Sequence, residues 1–189
     1  MIGSFWFNSF SAGGGGGGGT ADAYELISTT VLSSNTASVT FSGLGTSAAA
    51  YKHLQIRAVH KQDGASNALY VRFNGDSGAN YSSHYLDGNG SAVSSYGVGS
   101  QTSIYWYGVP GSSDAANTYG ASVMDILDWS STSKNKTLRS LSGWISTYKG
   151  IELASGAWLN TSALSSVSIF AGAGNWTIGS RFSLYGLKG

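Results

Sequence analysis

Lys52-His53-Leu54-Gln55-Ile56-Arg57-Ala58-Val59-His60-Lys61 is the stretch that decides the fold. In an extended chain successive side chains point to opposite sides, so Leu54, Ile56 and Ala58 share one face while Gln55, Arg57 and Val59 share the other. The same period of two returns where Leu69, Val71 and Phe73 oppose Tyr70, Arg72 and Asn74. One face of each strand goes to a core.

Outward from these two segments, the chain from Tyr24 onward is a succession of short β-branched and aromatic runs punctuated by Gly, Asn, Ser and Asp clusters. The pattern predicts strands at Tyr24–Leu32, Thr36–Leu44, Lys52–Lys61, Ala68–Asn74, Tyr81–Asp87, Gln101–Gly108, Thr118–Trp129, Asn135–Ser146, Gly150–Leu159, Ser165–Ala171 and Ser180–Leu187. Short strands at this spacing indicate an all-β fold, an antiparallel β-sandwich or jelly roll. Gly88–Ser100 and Pro110–Asn117 read as long surface loops, and any helix is short, near Ser162–Ser165.

Gly13 to Gly19 is an unbroken glycine run that holds neither a helix nor a packed strand by itself. It divides the chain into an aromatic anchoring arm over 1–12, a polyglycine linker over 13–20 and a single sandwich domain over 21–189. The extended N-terminal arm carries Phe5, Trp6, Phe7 and Phe10, an aromatic density that is costly to expose. It is expected to be buried, either against its own domain or, the preferred reading, on another subunit or another protein.

The 189 residues suit one domain with a tail, and the absence of cysteine excludes disulfides and thiolate metal sites. Only 10% of residues are charged, the formal net charge is +1, and no Lys/Arg cluster occurs, so there is no electrostatic footprint for nucleic acid. Ser, Thr, Asn and 28 glycines supply the polarity instead, a surface suited to packing against neighbours. The opening Met1–Phe7 is too short for a signal h-region and no apolar run is long enough to span a bilayer, so no membrane association is expected.

Catalytic constellations fail on inventory. His53, His60 and His84 lack a close metal-ligand spacing, and seven residues separate His53 from His60, which puts them on opposite faces of one strand. Asp125 and Asp128, the close carboxylate pair of the body, are likewise sent to opposite faces by their odd spacing. There is no Gly-x-Ser-x-Gly elbow, and the polyglycine run lacks the strand, helix and Gly-Lys-Ser/Thr of a phosphate loop. Asn74–Asn80 and Asp87–Gly90 read as turns rather than calcium loops. The expectation is a protein without catalysis, cofactor or metal.

Aromatic residues remain: Tyr105, Trp106, Tyr107 and Trp129, with Trp144, Trp158 and Trp176. They suit core packing and subunit interfaces, and the first four are also candidates for stacking on a glycan.

Tyr24-Glu25-Leu26-Ile27-Ser28, Tyr51–Arg57, Val71–Tyr81 and Gly179–Gly186, preceded by an apolar N-terminus and a Gly-rich spacer, resemble a group of tailed-bacteriophage virion proteins. The resemblance implies a non-enzymatic structural protein, made in the host cytoplasm and placed in the virion. It implies an accessory capsid decoration or cement protein that forms a homo-oligomer, a trimer by preference. Its partners would be the major capsid protein or tail proteins. The alternative is a tail or tail-fibre component acting as an adhesin for a host surface glycan.

Overall fold

A computed structural model describes residues 23–145 and 149–189. The arm residues Phe5, Trp6, Phe7 and Phe10, and with them the linker, lie outside the described residues.

The strands are β1 (Tyr24–Val31), β2 (Ser38–Ser42), β3 (His53–His60), β4 (Ala68–Phe73), β5 (Tyr81–Gly88), β6 (Val93–Gln101), β7 (Ile104–Tyr107), β8 (Gly120–Leu127), β9 (Lys136–Ile145), β10 (Lys149–Trp158), β11 (Ser166–Ala171) and β12 (Arg181–Leu187). They form an eight-stranded sheet in the order β1-β12-β3-β8-β9-β10-β5-β6 and a four-stranded sheet in the order β2-β11-β4-β7. Every pairing is antiparallel.

The order follows from one winding rule. The pairs β5–β6, β4–β7, β3–β8, β2–β11 and β1–β12 form a nested ribbon whose successive pairs alternate between the two sheets. Between them, β3 pairs β8 and β10 pairs β5, with β9 bridging β8 and β10. This is jelly-roll winding in which one strand position is filled by the three-stranded meander β8-β9-β10. Strands β12 and β1 then extend the large sheet beyond β3.

The alternation read from sequence fixes the inner faces. Leu54, Ile56 and Ala58 of β3 and Leu69, Val71 and Phe73 of β4 are buried, and they join Met124, Ile126, Leu138, Ala154, Val167, Ile169, Phe182 and Leu184 in one core between the sheets. Trp106, Trp158 and Trp176 are the largest side chains fully buried in it, and burial of each large apolar group stabilises the fold by about 2–3 kcal/mol. Their indole N–H groups are all satisfied: Trp106 Nε1 donates to Ser142 Oγ at 3.0 Å, Trp176 Nε1 to the Ile169 carbonyl at 3.1 Å and Trp158 Nε1 to Asp76 Oδ2 at 2.7 Å.

Two loop expectations are corrected. Most of Gly88–Ser100 is not a loop but β6, which pairs β5 along the sheet edge. The helix is not at Ser162–Ser165: Leu164 N–H binds the Trp129 carbonyl and Ser165 N–H binds Asn74 Oδ1, so the donors there serve distant partners. The α-helix of the described residues is α1 (Leu44–Ser47), and Gly43, at φ 67°, ends the preceding strand before it.

Candidate functional site

The outward positions of the large sheet define one surface. Register places Arg57, Val123, Leu141, Leu153 and Leu86 side by side across β3, β8, β9, β10 and β5. The adjoining row runs Val59, Ala121, Gly143 and Ile151. Leu141, Ile151 and Leu153 are 50%, 58% and 56% exposed, so among the described residues the middle of the sheet presents a contiguous exposed apolar band. Exposed apolar surface on this scale marks an interaction face.

The next row is charged and internally paired. Arg57 Nε donates to Gln55 Oε1 at 2.7 Å, Gln55 Nε2 to Asp125 Oδ1 at 2.8 Å and Arg139 Nε to Asp125 Oδ2 at 3.0 Å. Beside β1, the Arg57 guanidinium lies between the rings of Tyr24 and Tyr185, 5.0 and 4.7 Å from their centroids. The face thus combines an apolar band with a polar margin whose side chains are hydrogen-bonded to one another.

A second feature lies where the smaller sheet stops. Strand β7 is its edge, and an unpaired edge leaves backbone donors free. Two side chains of the large sheet take them: Ser83 Oγ accepts from Tyr105 N–H at 2.9 Å and Glu152 Oε1 accepts from Tyr107 N–H at 2.9 Å. Glu152 is 1% exposed, and burial, reinforced by Asp87, pushes its carboxyl up to about 7 despite the Tyr107 hydrogen bond. Asp87 is its direct cross-strand neighbour. Beside this pair is a cavity of about 290 Å³ bordered by Tyr85, Tyr107 and Trp144.

The four aromatic candidates separate by strand parity. Tyr105 and Tyr107 face outward on β7; Tyr105 packs 5.6 Å from Tyr70, which stacks on Phe170 at 5.5 Å, and Tyr107 is 41% exposed. Trp106 points inward and is fully buried, and Trp129 is buried with its N–H on the Tyr51 carbonyl. As glycan platforms Trp106 and Trp129 are therefore corrected: both side chains are buried.

The histidines do not meet. His53 Nδ1 accepts from the Asp128 backbone N–H at 3.0 Å, and His84 is exposed on the outer face of β5. His60 is sealed in the core with its Nε2 2.8 Å from Ser122 Oγ, which contacts Ser142 Oγ at 2.8 Å. Burial lowers its pKa to about 4. This serine–histidine contact is closed to substrate. Asp125 sits on the outer face, whereas Asp128 lies beyond the strand at φ 47° and accepts from Lys134 Nζ at 2.6 Å. Asp76 accepts from Gly78 N–H and Asn80 Nδ2 as well as Trp158, so its turn is a lock for the core. Among the described residues no three His, Cys, Asp or Glu side chains gather as a metal set, and no helix is long and apolar enough to cross a membrane.

The fold and surface define an all-β jelly-roll sandwich with an apolar sheet face that the described residues leave exposed. Comparison with models of protein families, with curated proteins and with solved structures gives no match.

Proposed function

We propose that this chain is a non-enzymatic structural protein of a bacteriophage virion, an accessory capsid protein that assembles as a homo-oligomer. The observation that carries the reading is the apolar band of Val123, Leu141, Leu153, Leu86 and Ile151 on the outer face of the large sheet. The sequence resemblance supplies the setting.

The occupant of that face is a second copy of the chain. Eight strands spaced about 4.8 Å apart and about eight residues long span roughly 34 by 27 Å, or about 900 Å². A stable interface needs about 800 Å² from each partner. In the charged margin Asp125 offsets Arg139 while Arg57 keeps its charge beside the neutral Gln55 amide, so the apolar band, not charge pairing, holds the copies together. The aromatic arm, with Phe5, Trp6, Phe7 and Phe10 on a polyglycine tether, then secures the oligomer to a neighbouring virion protein.

Mass spectrometry of purified particles tests the setting: hundreds of copies per particle support a head protein, a few to tens indicate the tail, and absence of the chain refutes the proposal. Deletion of residues 1–19 tests the arm. Incorporation is expected to fall sharply, and unchanged incorporation refutes the anchoring role.

A further inference from the structure

The large sheet is wider than the sheet that covers it, and the cavity beside β7 opens on the resulting shelf. Two buried polar atoms of residues at its border have no partner among the described residues: Glu152 Oε2 and Trp144 Nε1. An unmet polar group in the interior costs about 1–3 kcal/mol, so each calls for a hydrogen-bonding partner, from water or from a ligand that displaces it.

The demands are complementary. The indole N–H needs an acceptor, and the carboxyl oxygen needs a donor when ionised and offers a proton when neutral. An ammonium ion only donates and leaves the indole unmet. An anion only accepts and is repelled by the cross-strand pair Asp87 and Glu152. A hydroxyl group donates and accepts, and it satisfies both atoms in either protonation state of Glu152.

The walls point the same way. Tyr85 and Tyr107 meet edge to face with centroids 5.6 Å apart, and Tyr107 leaves part of its ring exposed. Gly108, at φ 109°, and Gly150 seat the Trp144 ring, since a Cβ on Gly150 would lie 2.5 Å from it. Asn67, Asn89 and Asp87 supply further polar groups at the rim. A cavity of about 290 Å³ is at the small end of ligand sites, which run from about 300 to 1,000 Å³, and it suits one six-membered ring.

We propose that this cavity binds a single pyranose ring of a carbohydrate, with Glu152 and Trp144 holding its hydroxyl groups and Tyr107 packing on its apolar face. Glu152 Oε2 and Trp144 Nε1 are sealed from solvent in this conformation, so binding requires the half-exposed Tyr107 ring to shift as the sugar enters and to settle against it. The site stands apart from the apolar band and does not depend on where the protein assembles.

Saturation-transfer NMR on the full chain tests this with the methyl glycosides of glucose, galactose, mannose, rhamnose and N-acetylglucosamine as probes. At least one is expected to bind, with a dissociation constant of about 1 mM. Tyr107→Ala, at an exposed position, and Trp144→Phe, which keeps the packing and removes the N–H, are each expected to weaken it about tenfold, or about 1.4 kcal/mol. Tyr24→Ala, at the far edge of the large sheet, is expected to leave it unchanged. Absence of binding to all five glycosides overturns the proposal, as does binding that survives both Tyr107→Ala and Trp144→Phe.

Discussion

Replacing Glu152 by glutamine is expected to change the shape of the stability–pH curve as well as its height. The carboxyl is raised from 4.5 to about 7 in the folded chain, mainly by burial. At about 1.4 kcal/mol for each pKa unit this amounts to at most about 3 kcal/mol. Because the folded state holds the proton more tightly, that stability is full below pH 4.5 and is lost as pH rises to about 7. His60 acts in the opposite sense. Its pKa falls from 6.5 to about 4, so its contribution is full above pH 6.5 and is lost as pH falls to about 4, again by about 3 kcal/mol. In the native chain the two slopes cancel between about pH 4.5 and 6.5 and give a plateau. In Glu152→Gln only the rising limb of His60 remains. The glutamine amide keeps an acceptor for Tyr107 N–H, and any unmet amide hydrogen adds a pH-independent offset of about 1–3 kcal/mol. Asp63, Asp76, Asp128 and Glu25, all lowered by hydrogen bonds, weaken the fold in acid equally in both proteins and drop out of the difference. Urea unfolding of both proteins at half-unit intervals of pH measures the difference. A stability difference that stays constant from pH 4.5 to 7.5 refutes the assignment of a buried, strained carboxyl.

Leu141→Glu, at the centre of the outer apolar band, is expected to leave the melting temperature nearly unchanged and to dissociate the proposed homo-oligomer in sedimentation velocity; an unaltered oligomer, or a native chain that is monomeric, refutes that face as the interface. Lys136 is fully buried and donates to the carbonyls of Ser131, Lys134 and Thr161 at 2.7, 2.8 and 3.1 Å, so Lys136→Met is expected to cost about 3 kcal/mol by urea unfolding, with faster proteolysis at residues 130–135. Trp158→Phe keeps most of the core volume and loses the bond to the Asp76 carboxylate, with an expected cost of about 2 kcal/mol and a matching loss in an Asp76→Asn variant; additive losses in the double variant contradict the direct contact.

The sandwich was legible because burial on one face writes a period of two into the chain, as it does in Leu54-Gln55-Ile56-Arg57. Strand β6 escaped that reading for the complementary reason: Val93-Ser94-Ser95-Tyr96-Gly97-Val98-Gly99-Ser100-Gln101 is exposed along nearly its whole length, so no core demands alternation, and its identity comes from pairing with β5. Parity also separated Trp106 from its neighbours, since alternation sends it inward when Tyr105 and Tyr107 face out. Choosing which parity is outward needed the second sheet. Asp87 and Glu152 were invisible as a pair because strand register, not sequence proximity, brings them opposite one another. Glu152 was at least marked by its place between Ile151 and Leu153, a carboxylate inside an apolar run.

The three-stranded meander obeys a rule of parity. In an antiparallel sheet each added strand reverses direction, so the place of one strand between β3 and β5 accepts an odd number and no even one. Growth by whole hairpins keeps the winding of the ribbon intact while it broadens one sheet alone. A jelly roll enlarged this way gains area on its outer face and a ledge on its inner face in the same step, so the broad outer face and the sheltered hollow have one structural origin. Removing β9 together with one of its neighbours should narrow both at once, whereas removing β9 alone would force β8 and β10 to run parallel side by side.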